Sequence, residues 1–279
     1  MTTKPKGISI RQKLNALSST IEIKYAHLET TFLIERLLAR LTADKQIGQN
    51  LVFKGGYVGL AVYQSNRYTV DLDALLVSSQ LESALERTKE LAETDLHDGV
   101  WFRFEEQIDL QTQGEYGGVR QVYRAGIGEV LKDIKKAQIV HFDLGIGDPI
   151  TPKAHQLTTP SLLPTNQQIQ WSVYPIETII AEKLHAVVAH RDANSRSKDI
   201  YDLAIFLPEA DPDMLKQAIE ACFSFRKTDL PKSLSEEFEQ LNTGRLKAGW
   251  ASAMASIANP PTFDNMFATV IDQLKIFEI

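Results

Sequence analysis

The stretch "RYTVDLDALL" at residues 67–76 sets Asp71 and Asp73 one residue apart among aliphatic and β-branched neighbours. Side chains alternate across a strand, so residues i and i+2 share a face and both carboxylates project together. Like charges this close repel. The face that carries them must hold a metal cation or open into solvent at a strand end.

The segments around this strand give the chain its organisation. Residues 8–45 read as helical, and "AHLETTFLIERLLARL" places Phe32, Leu33, Leu37, Leu38 and Leu41 on one stripe. "LVFKGG" is a short apolar strand stopped by Gly55 and Gly56, "YVGLAVYQ" can form a helix at once, and "YTVDLDALLV" is the second strand. "SQLESALERTKELAET" follows as a helix with Ser79 as its expected cap. Three more strands are expected around "WFRFEEQIDLQ", "VRQVYRAGI" and "AQIVHFDLGI". Strands clustered with few helices argue for an α+β fold with a mixed sheet rather than a doubly wound parallel one. "TPKAHQLTTPSLLPTNQQ" reads as a loop or linker, and beyond the short strand "IQWSVYP" the chain is mainly helical. The expected divisions are a helical lead over 1–48, an α/β core over 49–165 and a mainly helical domain over 166–279.

A net charge of −6 gives no global basic footprint, so a nucleic-acid partner would have to be held by a local patch. The single Cys222 excludes an intrachain disulfide and a cysteine-rich zinc site. The first residues lack the apolar core of a signal peptide and no apolar run approaches membrane-spanning length, so a cytoplasmic protein without a membrane partner is expected.

Three groups of residues can carry chemistry. First, a strand ending in Lys54-Gly55-Gly56 and leading into a helix presents backbone N–H groups suited to phosphate. On the next strand Asp71 and Asp73 would supply oxygen ligands for Mg²⁺ bound to those phosphates. The plainer alternative is a glycine turn beside a solvent-facing strand edge. Second, in "IVHFDLGIGDP" Asp143 projects opposite the main apolar set of its strand. Two-metal phosphoryl transfer needs a third carboxylate of this kind, although an exposed acid at a strand end has the same pattern. Asp148, in the "GDP" turn, reads as structural.

Third, in "PIETIIAEKLHAVVAHRDANSRSKDIYDLAIF" Ile176, Ile179, Ile180, Leu184 and Val188 form a core stripe with Lys183 at its edge. Asp199 and Asp202 share one face of the next helix. Lys183, His190, Arg191, Arg196 and Lys198 make a cationic patch able to hold a triphosphate or an RNA backbone. The alternative is a solvated hairpin with Lys198 and Asp202 as a surface pair. His185 and His190, at i and i+5, are poorly spaced for a shared metal and read as packing or phosphate contacts. The chain has no G-x-x-x-x-G-K-[ST] loop, no complete dinucleotide fingerprint and no G-x-S-x-G elbow.

"LVFKGGYVGLAVYQSNRYTVDLDALL", "VHFDLGIGDP" and "AEKLHAVVAHRDANSRSKDIYDLAIF", in this order, resemble the AbiEii/AbiGii toxin family of nucleotidyltransferase-like proteins. The resemblance spans about residues 50–207. It implies a polymerase-β-like nucleotidyltransferase core with a helical C-terminal domain, Mg²⁺ and a nucleoside triphosphate as ligands, and a cognate antitoxin. It also implies transfer to an acceptor hydroxyl, with the 3′ end of transfer RNA used by some relatives. Carried over by position, the metal carboxylates are Asp71, Asp73 and Asp143, and the nucleotide contacts are Lys54, Gly55, Gly56, Thr69 and Lys183. Lys183, Asp199 and Asp202 join the catalytic set, and Arg191, Arg196 and Lys198 are expected to touch RNA. Tyr57 stands where many nucleotidyltransferases have serine, which removes a hydroxyl from the phosphate site. A catalytically silent nucleotide- or partner-binding member, and a transferase with a small-molecule acceptor, are the competing readings.

Overall fold

The computed structural model describes residues 3–77, 80–110, 117–164 and 166–277. Two compact units divide these residues. One contains Met1–Val58, Tyr68–Gly147 and Gln156–Val173, and the other Gly59–Arg67, Asp148–His155 and Tyr174–Ile279. Both units are discontinuous in sequence, whereas the expected divisions run consecutively.

The first unit is built on a mixed sheet. Its strands are β1 (Leu51–Lys54), β2 (Asp71–Leu76), β3 (Val100–Leu110), β4 (Gly118–Ile127), β5 (Gln138–Ile146), β6 (His155–Thr159) and β7 (Ile169–Val173). They lie in the order β3-β4-β5-β2-β1-β7-β6, with β2 parallel to β5 and β1 parallel to β7. The other pairings that carry the site, β1 with β2 and β4 with β5, are antiparallel.

Helices α1 (Thr3–Ile21), α2 (Tyr25–Ala43), α3 (Lys45–Gly48) and α5 (Leu81–Ala92) accompany the sheet, and α4 (Gly55–Ala61) follows β1 directly. The stripe expected on α2 is buried in full. Polar α2 residues are buried too, because Arg36 and Arg40, one turn apart, both donate to Asp98. Burial opposes the charge on Asp98, but the two guanidiniums win and hold its carboxyl below the usual range. Gln138 donates to Thr30 of α2, and Gln121 donates to the Leu85 carbonyl of α5. Gln138 and Phe142 share a face of β5, and Gln121 is the register partner of Phe142. Both helices therefore cover the face that carries Phe142, Leu72 and Leu144. The acidic residues of β2 and β5 lie on the other face.

Two expectations need correction. The stretch read as a loop contains strand β6, where Trp171 of β7 donates to Thr159. It is a polar edge strand, so it has no apolar alternation to betray it. The second strand begins at Asp71 rather than Tyr68. Ser79, the expected cap of α5, lies outside the described residues.

The second unit is helical: α6 (Ile176–His190), α7 (Ser197–Phe206), α8 (Pro212–Phe225), α9 (Leu234–Glu239), α10 (Gly244–Ala253) and α11 (Phe263–Ile276). Ile176, Ile179, Ile180, Leu184 and Val188 of α6 are buried, as the spacing predicts. Pro212 occupies the first turn of α8, and Asp211 caps it by accepting from the Met214 N–H at 3.0 Å. Among the described residues no helix is long and apolar enough to cross a membrane.

Candidate active site

Strand register assembles the acidic face of the first unit. Lys54 of β1 is the register partner of Asp73 of β2, Asp73 of Asp143 of β5, and Asp143 of Arg120 of β4. Register partners share a face and sit about 4.8 Å apart. Four adjacent strands thus present cation, anion, anion and cation in one row. In the next row Asp71 is the partner of His141.

Each carboxylate has its own fixture. Asp73 sits on Gly55, where a Cβ would lie 2.2 Å from the Asp73 Oδ2. Gly55 also has φ +73°, so both backbone conformation and the neighbouring carboxylate demand glycine there. Asp71 accepts from His141 Nδ1 at 2.8 Å. A carboxylate can only accept, so the ring carries its proton on Nδ1 in that contact. The Asp71 N–H donates to the Thr69 hydroxyl at 3.3 Å, which fixes the start of β2. Asp143 accepts a fork from Arg120, Nε to Oδ1 at 2.7 Å and Nη2 to Oδ2 at 2.6 Å. The bonded Asp143 carboxylate, with Asp71 and Asp73 nearby, outweighs burial and pushes the Arg120 guanidinium further up.

The three expected metal carboxylates therefore share one face, but Asp143 is engaged by arginine and Asp71 by histidine. Among the described residues no group of three or more His, Cys, Asp and Glu side chains is gathered as a metal site. Asp71 and Asp73, hard oxygen donors on one side of one strand, suit a divalent cation such as Mg²⁺. Asp143 suits it only if Arg120 shares or releases it. Tyr57 is buried against Trp171, with ring centroids 5.9 Å apart, so the residue in the serine position belongs to the core.

The second unit holds the other expected residues. Lys183 lies between Asp199 Oδ1 at 2.6 Å and Asp202 Oδ2 at 2.8 Å. Arg67 forks onto Asp202, Nε at 3.0 Å and Nη2 at 2.7 Å, and Arg196 Nε reaches Asp199 at 2.7 Å. Burial alone would strip the charge from these groups. The mutual attraction prevails: Lys183 is raised, Asp199 is lowered, and Asp202 is lowered to about 2. Asp202 is thus a buried anion between two cations, in place of a surface partner for Lys198. Arg67 escaped sequence reasoning because it lies 135 residues from Asp202 and belongs to no local pattern.

The expected cationic patch is largely ion-paired. Arg191 meets Glu237 at 2.8 Å, Arg196 meets Asp199, and Lys198 is exposed. Arg191 and Arg196 nevertheless keep 68% and 53% of their side chains exposed. His185 is buried, within 2.8 Å of the Thr228 hydroxyl and edge-on to Phe223. Asp148 accepts from Arg226 at 3.1 Å, which fits its structural reading.

A family model described as "Nucleotidyl transferase AbiEii toxin, Type IV TA system" matches residues 36–269. Among solved structures, the chain is similar to a proposed nucleotidyltransferase from H. pylori, with a TM-score of 0.51 at 15% identity over 88% of this chain and 92% of that one. It is also similar to JHP933 from Helicobacter pylori, with a TM-score of 0.50 at 15% identity over 88% and 89% of the two chains. No curated protein matches the sequence. At such identity the structural likeness speaks for the nucleotidyltransferase fold alone.

Proposed function

The chain belongs to the AbiEii nucleotidyl transferase toxin family of type IV toxin–antitoxin systems, and from that premise we propose Mg²⁺-dependent nucleotide transfer from a nucleoside triphosphate to an RNA 3′ hydroxyl, a transfer RNA end above all. It is a nucleotidyltransferase, and its family implies an antitoxin partner. The observation that carries the metal assignment is the Asp71–Asp73 pair, one carboxylate seated on Gly55 and the other steadied by His141.

In this reading Asp71 and Asp73 hold the cation, with Asp143 as the third acid. When bound, Mg²⁺ would neutralise triphosphate charge and assist ionisation of the attacking hydroxyl. His141 keeps one Asp71 oxygen in a fixed direction, leaving the other to ligate. Gly55 and Gly56 would allow phosphate close to the backbone, with Lys54 and Thr69 as further nucleotide contacts. Lys183, kept protonated by Asp199 and Asp202, is the catalytic lysine of this reading within the second unit. The exposed charges of Arg191, Arg196 and Lys198 support an RNA acceptor, whose affinity should fall as salt rises.

The test supplies each of the four labelled nucleoside triphosphates with Mg²⁺ and total RNA. Incorporation into RNA, lost in Asp73→Asn with the fold retained, is expected. Label transferred only to a small hydroxylated molecule would remove the RNA acceptor while sparing the transferase. Full activity in Asp73→Asn would remove the metal assignment.

A further inference from the structure

The Arg120 fork stands at the point where a third metal carboxylate is needed. Each Asp143 oxygen already accepts one charge-assisted N–H bond, at 2.7 and 2.6 Å. A guanidinium this close also repels any divalent cation that approaches the same carboxylate. The pair is not sealed in the core, because 28% of Arg120 and 16% of Asp143 remain exposed, so the arginine has room to leave. Strand geometry fixes the contest in place: Arg120 and Asp73 flank Asp143 as its register partners on opposite sides.

We propose that Arg120 is a built-in competitor of the divalent cation, a positioning residue that holds Asp143 until the metal takes it. This rests on the reading of Asp71 and Asp73 as the metal ligands. Without metal, the fork balances the charge of the acidic row and keeps Asp143 from repelling Asp73. With metal, Asp143 turns from guanidinium to cation, no covalent bond changing. The freed guanidinium stays on the same face of the sheet, where it can receive a phosphate oxygen. Divalent-cation affinity is thereby lower than the three acids alone would give, and loading is coupled to movement of one side chain.

The experiment measures Mn²⁺ binding to the nucleotide-free full chain by calorimetry and electron paramagnetic resonance. Arg120→Gln should bind Mn²⁺ about tenfold more tightly than the unmodified protein, equal to about 1.4 kcal/mol. Arg120→Lys, which keeps the charge but loses the fork, should gain less and serves if the glutamine variant does not fold. In an Asp143→Asn background the gain from Arg120→Gln should vanish, since there is no carboxylate left to contest. Unchanged or weaker Mn²⁺ binding in both Arg120 variants overturns the inference, as does a gain that persists undiminished without Asp143. A merely structural arginine would lower stability without tightening metal binding. If Asp73→Asn leaves Mn²⁺ affinity untouched, the metal assignment itself fails. If Asp73→Asn abolishes binding while Arg120 variants change nothing, the Arg120 inference alone fails.

Discussion

Replacing Asp202 by asparagine tests the ion network of the second unit at its most buried anion. Asp202 is 2% exposed and meets Arg67 through two bonds and Lys183 through one. Holding its carboxyl at about 2, against an ordinary 3.8, corresponds to about 2–3 kcal/mol of stability at neutral pH. The amide keeps the volume but leaves Arg67 and Lys183 with one buried anion fewer, and breaking such a network costs about 3–5 kcal/mol. We expect a loss of about 3 kcal/mol from urea unfolding of the full chain at pH 7. The pH dependence has a definite sign. A depressed carboxyl stabilises above its unfolded value, so the advantage of the native Asp202 over the Asp202→Asn variant should be complete above about pH 5 and shrink as pH falls toward about 2. Arg67→Met should be similarly costly, and the double variant should cost less than the sum, because removing both charges strands neither. A loss below about 0.5 kcal/mol at pH 7, or additive single costs, would refute the reasoning.

Gly55→Ala should forfeit most nucleotide transfer and about 1–2 kcal/mol of stability, since φ is +73° and the new Cβ would strike the Asp73 carboxylate. Gly145→Ala on β5, where a Cβ would come no nearer than 3.9 Å to the Ala74 carbonyl oxygen, should leave activity near normal in the same assay. Gln121→Leu should cost about 1–3 kcal/mol in thermal or urea unfolding, because the wholly buried amide accepts from Thr88 and Tyr123 and its loss strands the Tyr123 hydroxyl. Expression without an antitoxin should slow growth, and Asp71→Ala should relieve it; equal toxicity of the variant, at equal protein level, would detach toxicity from the acidic pair.

The face on which each strand residue sits was readable from the sequence, because strand periodicity is local. Asp71 and Asp73 had to share a side, Asp143 had to oppose Phe142 and Leu144, and the α2 and α6 stripes had to be buried. The choice of glycine at residue 55 was legible as a strand stop before a helix. Its second reason, the Asp73 carboxylate resting where a Cβ would be, needed the packed structure. Register is likewise a tertiary quantity. The row Lys54, Asp73, Asp143 and Arg120 comes from four strands whose alignment is set by packing across the whole sheet. Arg120 and Arg67 carried no signal of their own, since a charge pattern shows that an arginine exists but not which distant acid it will meet. The same limit explains Asp202, legible as an acid on a helix face and decided only by folding as a buried partner of Arg67 and Lys183. Local chemistry fixes what a side chain offers; the long-range closure of the chain, at its cost in conformational entropy, decides which partner receives it.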